Sequence, residues 1–305
     1  MPHVTNKRRL SSWLLIAILP GLFTSAFAQS DAAPAEPATM FAEIVEYARL
    51  ANAAYDNRAT IDKTIGKYGY TLNHFASLPK LEVSYYLATH DDSQTQVIAV
   101  RGTSNVENAL VDIAIQLVSG NDFGIALHNG FVVSAKGIYE DIKPKLNQHY
   151  KIKTTGHSLG GAVAVVLAMY LKNDGYAMER VITFGQPKVT NLTGSSKVNE
   201  LDIWRVVTAR DLVPLVPPLH MADLNNVNIY WHAGREIILL DGKQYSVTSG
   251  LESMLRATKF LTQTLSEKNL QHHKMAHYLA LIEAKTSGAQ YVPYKNDLSI
   301  FFPSW

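Results

Sequence analysis

The stretch Lys151–Val166, KIKTTGHSLGGAVAVV, decides the fold. It opens with alternating polar and apolar residues, passes Gly156-His157-Ser158-Leu159-Gly160, and runs on through small and aliphatic side chains. Alternation with period two reads as a strand, and the apolar run that follows reads as a buried helix. A plain turn between them needs no glycine on each side of a serine. A nucleophile elbow, G-x-S-x-G, does: the serine is held in a strained conformation while the flanking glycines let neighbouring backbone come close. Ser158 would then stand at the N-terminus of a helix, where free N–H groups favour a developing oxyanion. The plainer reading of the same residues is a serine cap between a strand and a helix.

Outward from this point, strand and helix signals alternate. Strands are expected over 81–89, 96–101, 180–184 and 203–208, and helices over 40–55, 132–146 and 160–173. A hairpin is expected over 228–240, turning at Ala233-Gly234, and closing helices over 251–266 and 272–285. Such alternation argues for an α/β protein with a mostly parallel central sheet flanked by helices. No internal repeat and no later linker divides the chain.

The N-terminus has its own pattern. Lys7, Arg8 and Arg9 precede the apolar stretch 13–23, and Ala26-Phe27-Ala28 fits a small-x-small cleavage site. This predicts a cleaved secretory signal peptide over 1–28, a flexible Pro/Ala-rich leader over 29–38, and a single domain over 39–305. The apolar stretch is short for a membrane span and is broken by Pro20-Gly21, so no integral membrane segment is expected in the mature chain. Removing Lys7, Arg8 and Arg9 from 28 basic and 26 acidic residues leaves one net negative charge. That balance gives no net attraction to nucleic acid. The 305 residues include no cysteine, which excludes thiolate catalysis, Cys-ligated zinc and disulfides.

A serine nucleophile needs a base, and the base an orienting carboxylate, in the chain order Ser, Asp or Glu, His. Of the acids after Ser158, Asp211 follows the apolar run WRVVTAR and precedes Pro214. That is the carboxyl end of an expected strand, where open α/β sheets place their sites. Histidines after it are His220, His232, His272, His273 and His277, and spacing alone does not choose among them.

Six stretches together resemble the class 3 lipase family, the fungal-lipase-like branch of the α/β-hydrolases. They are VIAVRGTSN (97–105), HNGF (128–131), TTGHSLGGAVA (154–164), ITFGQPKV (182–189), RVVTARDLVPLVPP (205–218) and HKMAHYL (273–279). The resemblance implies an α/β-hydrolase fold with Ser158 as nucleophile, Asp211 as triad acid and His273 as base, His272 being its competitor. It places the oxyanion hole at Thr103 and at the N–H of Leu159. It reads His157 as packing and orienting the elbow and His232 as a structural residue on a late strand.

The implied activity is hydrolysis of carboxylic esters of lipids by a secreted triacylglycerol lipase or carboxylesterase, with no metal or organic cofactor. Phospholipase A1 or feruloyl-esterase-like activity is the enzymatic alternative, and a catalytically silent lipid-binding protein the non-enzymatic one. The family carries a lid between Ser104 and Ala126, through which transient contact with a lipid interface is expected. There Val106, Ala109, Leu110, Ile113 and Leu117 can share a helical face. Family members often carry a Trp in this helix, and this interval has none.

Overall fold

The computed structural model describes residues 36–103, 117–118, 122–217, 229–258 and 267–294. All belong to the unit Ala32–Trp305. The expected signal peptide, the leader up to residue 35, most of the expected lid and His220 lie outside the described residues.

In chain order, helices α1 (Pro37–Ala53) and α2 (Arg58–Gly66) lead into strands β1 (Thr71–Leu78), β2 (Val83–His90) and β3 (Thr95–Val100). Short strands β4 (Leu117–Val118) and β5 (Leu127–His128) precede α3 (Asn129–Ile142), β6 (Lys151–His157), α4 (Leu159–Asn173) and β7 (Met178–Phe184). Next come β8 (Thr190–Asn191), α5 (Leu192–Val198), β9 (Ile203–Thr208), β10 (Tyr230–Trp231), β11 (Arg235–Leu239) and β12 (Gln244–Ser249). The chain then forms α6 (Gly250–Thr258), α7 (Glu267–His273), α8 (Met275–Thr286) and β13 (Gln290–Tyr291).

The main sheet has the order β1-β2-β3-β6-β7-β9-β11-β12-β13. Its central run β3-β6-β7-β9-β11 is parallel throughout, with antiparallel pairs β1-β2, β2-β3 and β11-β12 towards the edges. This is an α/β-hydrolase arrangement with a mostly parallel core.

Side chains alternate across the central strands, as a period of two requires. Ile98, Val100, Val181 and Ile203 join one core with α3 and α4. Ile182, Phe184, Trp204 and Val206 join a core on the other face with α1 and α8. Helix α4 is buried on every side from Gly160 to Leu171, which is why its sequence shows no polar stripe. Among the described residues no helix is long and apolar enough to cross a membrane.

Four local expectations are corrected. No hairpin turns at Ala233-Gly234: β10 pairs with β8 in a separate small sheet, while β11 pairs with β9 and β12. Gly234 (φ +77) is a corner packed on Ile203, and the hairpin turns instead at Asp241-Gly242-Lys243. The helix expected from His272 is two helices, because Lys274 takes an extended conformation (φ −66, ψ 137) between α7 and α8. Leu117 does not lie on a helix but in β4, paired antiparallel with β5; Val106, Ala109, Leu110 and Ile113 lie outside the described residues. His232 follows β10 rather than lying within a strand, and it is buried.

Candidate active site

Four adjacent parallel strands, β3, β6, β7 and β9, end at one edge of the sheet. The residues just past those ends are Thr103, Ser158, Gly185 and Asp211. This is the carboxyl edge, where strand-to-helix connections gather functional groups in open parallel sheets.

Ser158 caps α4 with φ 59 and ψ −133, a left-handed conformation for a residue with a Cβ. Such strain costs about 1–3 kcal/mol and persists only where the surroundings enforce it. Here they do. The Ser158 N–H donates to the Phe184 carbonyl at 2.8 Å, and the Ser158 carbonyl accepts from the Gly161 N–H at 3.0 Å. A Cβ on Gly156 would lie 2.5 Å from the Gly160 carbonyl carbon, and one on Gly160 would fall within the backbone of Val100 and Arg101. The two glycines of the motif are thus contact surfaces, Gly156 against the start of α4 and Gly160 against the end of β3. Leu159 is the first residue of α4, so its N–H has no intrahelical acceptor.

The candidate base comes from the other side. His273 ends α7, and its Nδ1 lies 2.8 Å from Asp211 Oδ2. Because the carboxylate only accepts, Nδ1 carries the ring proton and Nε2 presents a lone pair. Asp211 also accepts from Tyr278 Oη at 2.6 Å and, through Oδ1, from the Val213 N–H at 2.9 Å. Burial alone would raise the Asp211 carboxyl; the charge and hydrogen bond of His273, with those of Tyr278 and Val213, outweigh it and hold it below the usual range. The Nδ1 of His272 instead lies 2.9 Å from His277 Nε2.

The two partners converge on Gly185 (φ +58). A Cβ there would lie 2.9 Å from Asp211 Oδ2 and 2.9 Å from His273 Cε1, while Phe184, one residue earlier, holds the Ser158 N–H. Ser158 Oγ and His273 Nε2 are both buried and neither has a hydrogen-bond partner among the described residues, so the structure pairs His273 with Asp211 but does not bond Ser158 to His273. Catalytic hydrogen bonds are often long before substrate binds. Among the described residues, no three His, Cys, Asp or Glu side chains gather as metal ligands.

Two tyrosines join this site that the motif reading assigned no role. Tyr278 lies in the HKMAHYL stretch, and its position five residues after His273 was the available signal. Tyr55, just past α1, reaches His157 from 102 residues away and leaves no local signal.

Comparison with known proteins finds similar chains. Residues 97–221 match the family model Lipase (class 3). A secreted mono- and diacylglycerol lipase 1 of Fusarium solani is 31% identical over 178 residues, covering 55% of this chain and 52% of that protein. The chloroplastic phospholipase A1 PLIP1 of Arabidopsis thaliana is 26% identical over 155 residues, 45% of this chain and 24% of that protein. The crystal structure of Lip2 lipase from Yarrowia lipolytica superposes with a TM-score of 0.55 at 27% identity, covering 68% of this chain and 80% of that one. The chain spans about half the length, or less, of these curated relatives. Across residues 97–221, which hold both Ser158 and Asp211, it is similar to the class 3 lipase family.

Proposed function

We propose that the protein is a secreted serine hydrolase that cleaves carboxylic esters of lipids through an acyl-enzyme. One observation carries this reading: a strained serine with an unpaired Oγ stands at the same sheet edge as a buried imidazole–carboxylate pair whose Nε2 is also unpaired.

In the proposed cycle His273 Nε2 takes the proton of Ser158 Oγ as the oxygen attacks the ester carbonyl. The N–H groups of Thr103 and Leu159 receive the oxyanion; one such donor accounts for about 10²–10³ in turnover. His273 then protonates the leaving alcohol. Water, deprotonated by the same nitrogen, attacks the acyl carbon, and the serine is released. Asp211 holds the Nδ1–H tautomer and stabilises the imidazolium.

Mono-, di- or triacylglycerol is the substrate class favoured by likeness to the Fusarium protein; likeness to PLIP1 supports phospholipase A1 activity as the second reading. Hydrolysis of p-nitrophenyl esters, triolein and phosphatidylcholine by the mature protein and by Ser158→Ala tests both. Activity on triolein that vanishes in the variant is expected. Activity confined to phosphatidylcholine favours the second reading, and hydrolysis undiminished in the variant refutes both. Export is tested by the N-terminus of the secreted protein, expected at Gln29.

A further inference from the structure

His157 is buried beside the nucleophile, and both of its ring nitrogens are engaged. Nε2 lies 2.7 Å from the backbone carbonyl of His273, and Nδ1 lies 2.7 Å from Tyr55 Oη. A carbonyl oxygen cannot donate, so the ring proton is on Nε2 and Nδ1 must accept. The Tyr55 hydroxyl is therefore the donor. The same phenolic oxygen packs against Gly102, one residue before Thr103. Gly102 runs tightly through this corner: a Cβ on it would lie 2.5 Å from Tyr55 Oη and 3.2 Å from Ser158 Cβ.

A continuous chain of donors and acceptors follows. It runs from Tyr55 O–H through the His157 ring to the carbonyl of His273. That carbonyl ends α7, where no intrahelical donor remains. The carbonyl before it, of His272, is held by Thr208 Oγ1 at 3.1 Å. The end of the helix bearing the base is thus pinned by side chains from β6 and β9.

The rings of His157 and His273 lie 4.5 Å apart at 34°, so a charge on one opposes a charge on the other. Burial, reinforced by neighbouring His273, drives His157 down to about 3, which leaves it neutral when His273 takes up a proton.

We propose that Tyr55 is a positioning residue: its hydroxyl fixes the tautomer of His157, and through His157 it seats the backbone of His273. This rests on His273 being the base and Ser158 the nucleophile. Tyr55 acts only through His157, which separates the proposal from simple packing. Gln at 157 can offer one N–H and one carbonyl oxygen in place of the imidazole's donor and acceptor, whereas Leu offers neither.

The test is steady-state hydrolysis of a soluble p-nitrophenyl ester by the full mature chain and its variants, each checked for folding by thermal unfolding. Tyr55→Phe is expected to lower kcat about tenfold, the effect of leaving one buried acceptor unpaired, with KM within twofold. His157→Gln should keep more of kcat than His157→Leu. The double variant Tyr55→Phe/His157→Leu should be no slower than His157→Leu alone, because the two residues act in series. Wild-type kcat in Tyr55→Phe, or additive losses in the double variant, overturns the proposal. Hydrolysis that survives Ser158→Ala overturns the reading beneath it, whereas an inactive Ser158→Ala beside a fully active Tyr55→Phe removes only the role of Tyr55.

Discussion

Asp211 and Glu236 are both fully buried carboxylates held below their ordinary range, yet their surroundings are opposites. Glu236 sits between two guanidiniums. Oε1 accepts from Arg256 Nη2 at 2.7 Å and Arg205 Nη1 at 3.5 Å, while Oε2 accepts from Thr248 Oγ1 at 2.8 Å and Ser253 Oγ at 2.9 Å. Burial would raise this carboxyl, but Arg256 and then Arg205 bring it to about 2. Neither cation loses its charge in the working pH range, so the cluster is static and fastens α6 to β11 and β12. Among the described residues Asp211 has no permanent cation as a partner: it is bonded to an imidazole, a phenol and an amide. In the proposed cycle the imidazole gains a charge by taking the serine proton. A carboxylate with permanent partners stabilises a fold, whereas one whose partner gains charge during a reaction can stabilise that reaction.

Substitution at each carboxylate should separate these roles. Asp211→Asn leaves the shape but not the charge, and turnover on a soluble ester is expected to fall about 10⁴-fold while the thermal unfolding midpoint moves little. Glu236→Gln leaves two buried guanidiniums without compensation, so denaturant unfolding should show a loss of about 3–5 kcal/mol. The fraction still folded should retain wild-type turnover. Reversed effects, with the Asp211→Asn variant unfolded and the Glu236→Gln variant folded but inactive, would break the comparison.

A smaller change sharpens it. Tyr278→Phe removes one donor from Asp211 Oδ2, and kcat should fall about ten- to a hundredfold, the range for a hydrogen bond to a charged group.

The smallest expected effect concerns pH and comes from Lys188, beside the Glu236 cluster. Its Nζ is buried and donates to the carbonyls of Leu215 and Pro217 at 2.8 and 2.7 Å, bracing the loop after Asp211. Burial, with the charges of Arg205 and Arg256, lowers it to about 7. Between that value and the ordinary 10.5 the unfolded chain holds a proton that the folded chain has released. Stability from this group therefore rises with pH across that window, by at most about 1.4 kcal/mol per pH unit. Below the window both states are protonated and the slope vanishes. Urea unfolding of wild type and Lys188→Met at several pH values measures this, the variant being expected to show the flatter profile.

The parts of the site that were legible in the sequence are local ones. Gly156, Ser158 and Gly160 fall within five residues, and the glycines make backbone contacts that a short motif must preserve. Asp211 could be placed because a strand end is visible as an apolar run reaching a proline. His273 needed the family resemblance, since His272 and His277 sit as near in sequence; the structure separates them by which ring faces Asp211. Tyr55 was invisible because its partner lies a hundred residues away and depends on how α1 crosses the sheet. The false hairpin at Gly234 has a similar cause. The glycine is required by close approach to Ile203, a distant contact, whereas the true turn at Gly242 carries the ordinary Asp-Gly signal. The break at Lys274 has no Pro or Gly to mark it, and the helix-forming residues around it conceal the change of direction.

Intact-protein mass spectrometry during reaction with a fluorophosphonate tests the triad most directly, because the rate of labelling reports activation of the serine without requiring a guess at the substrate. A single adduct on Ser158 is expected, absent in folded Ser158→Ala and slowed by orders of magnitude in folded His273→Ala and Asp211→Asn. An adduct elsewhere, or labelling of Ser158 at the wild-type rate once His273 is gone, would contradict the assignment of nucleophile and base.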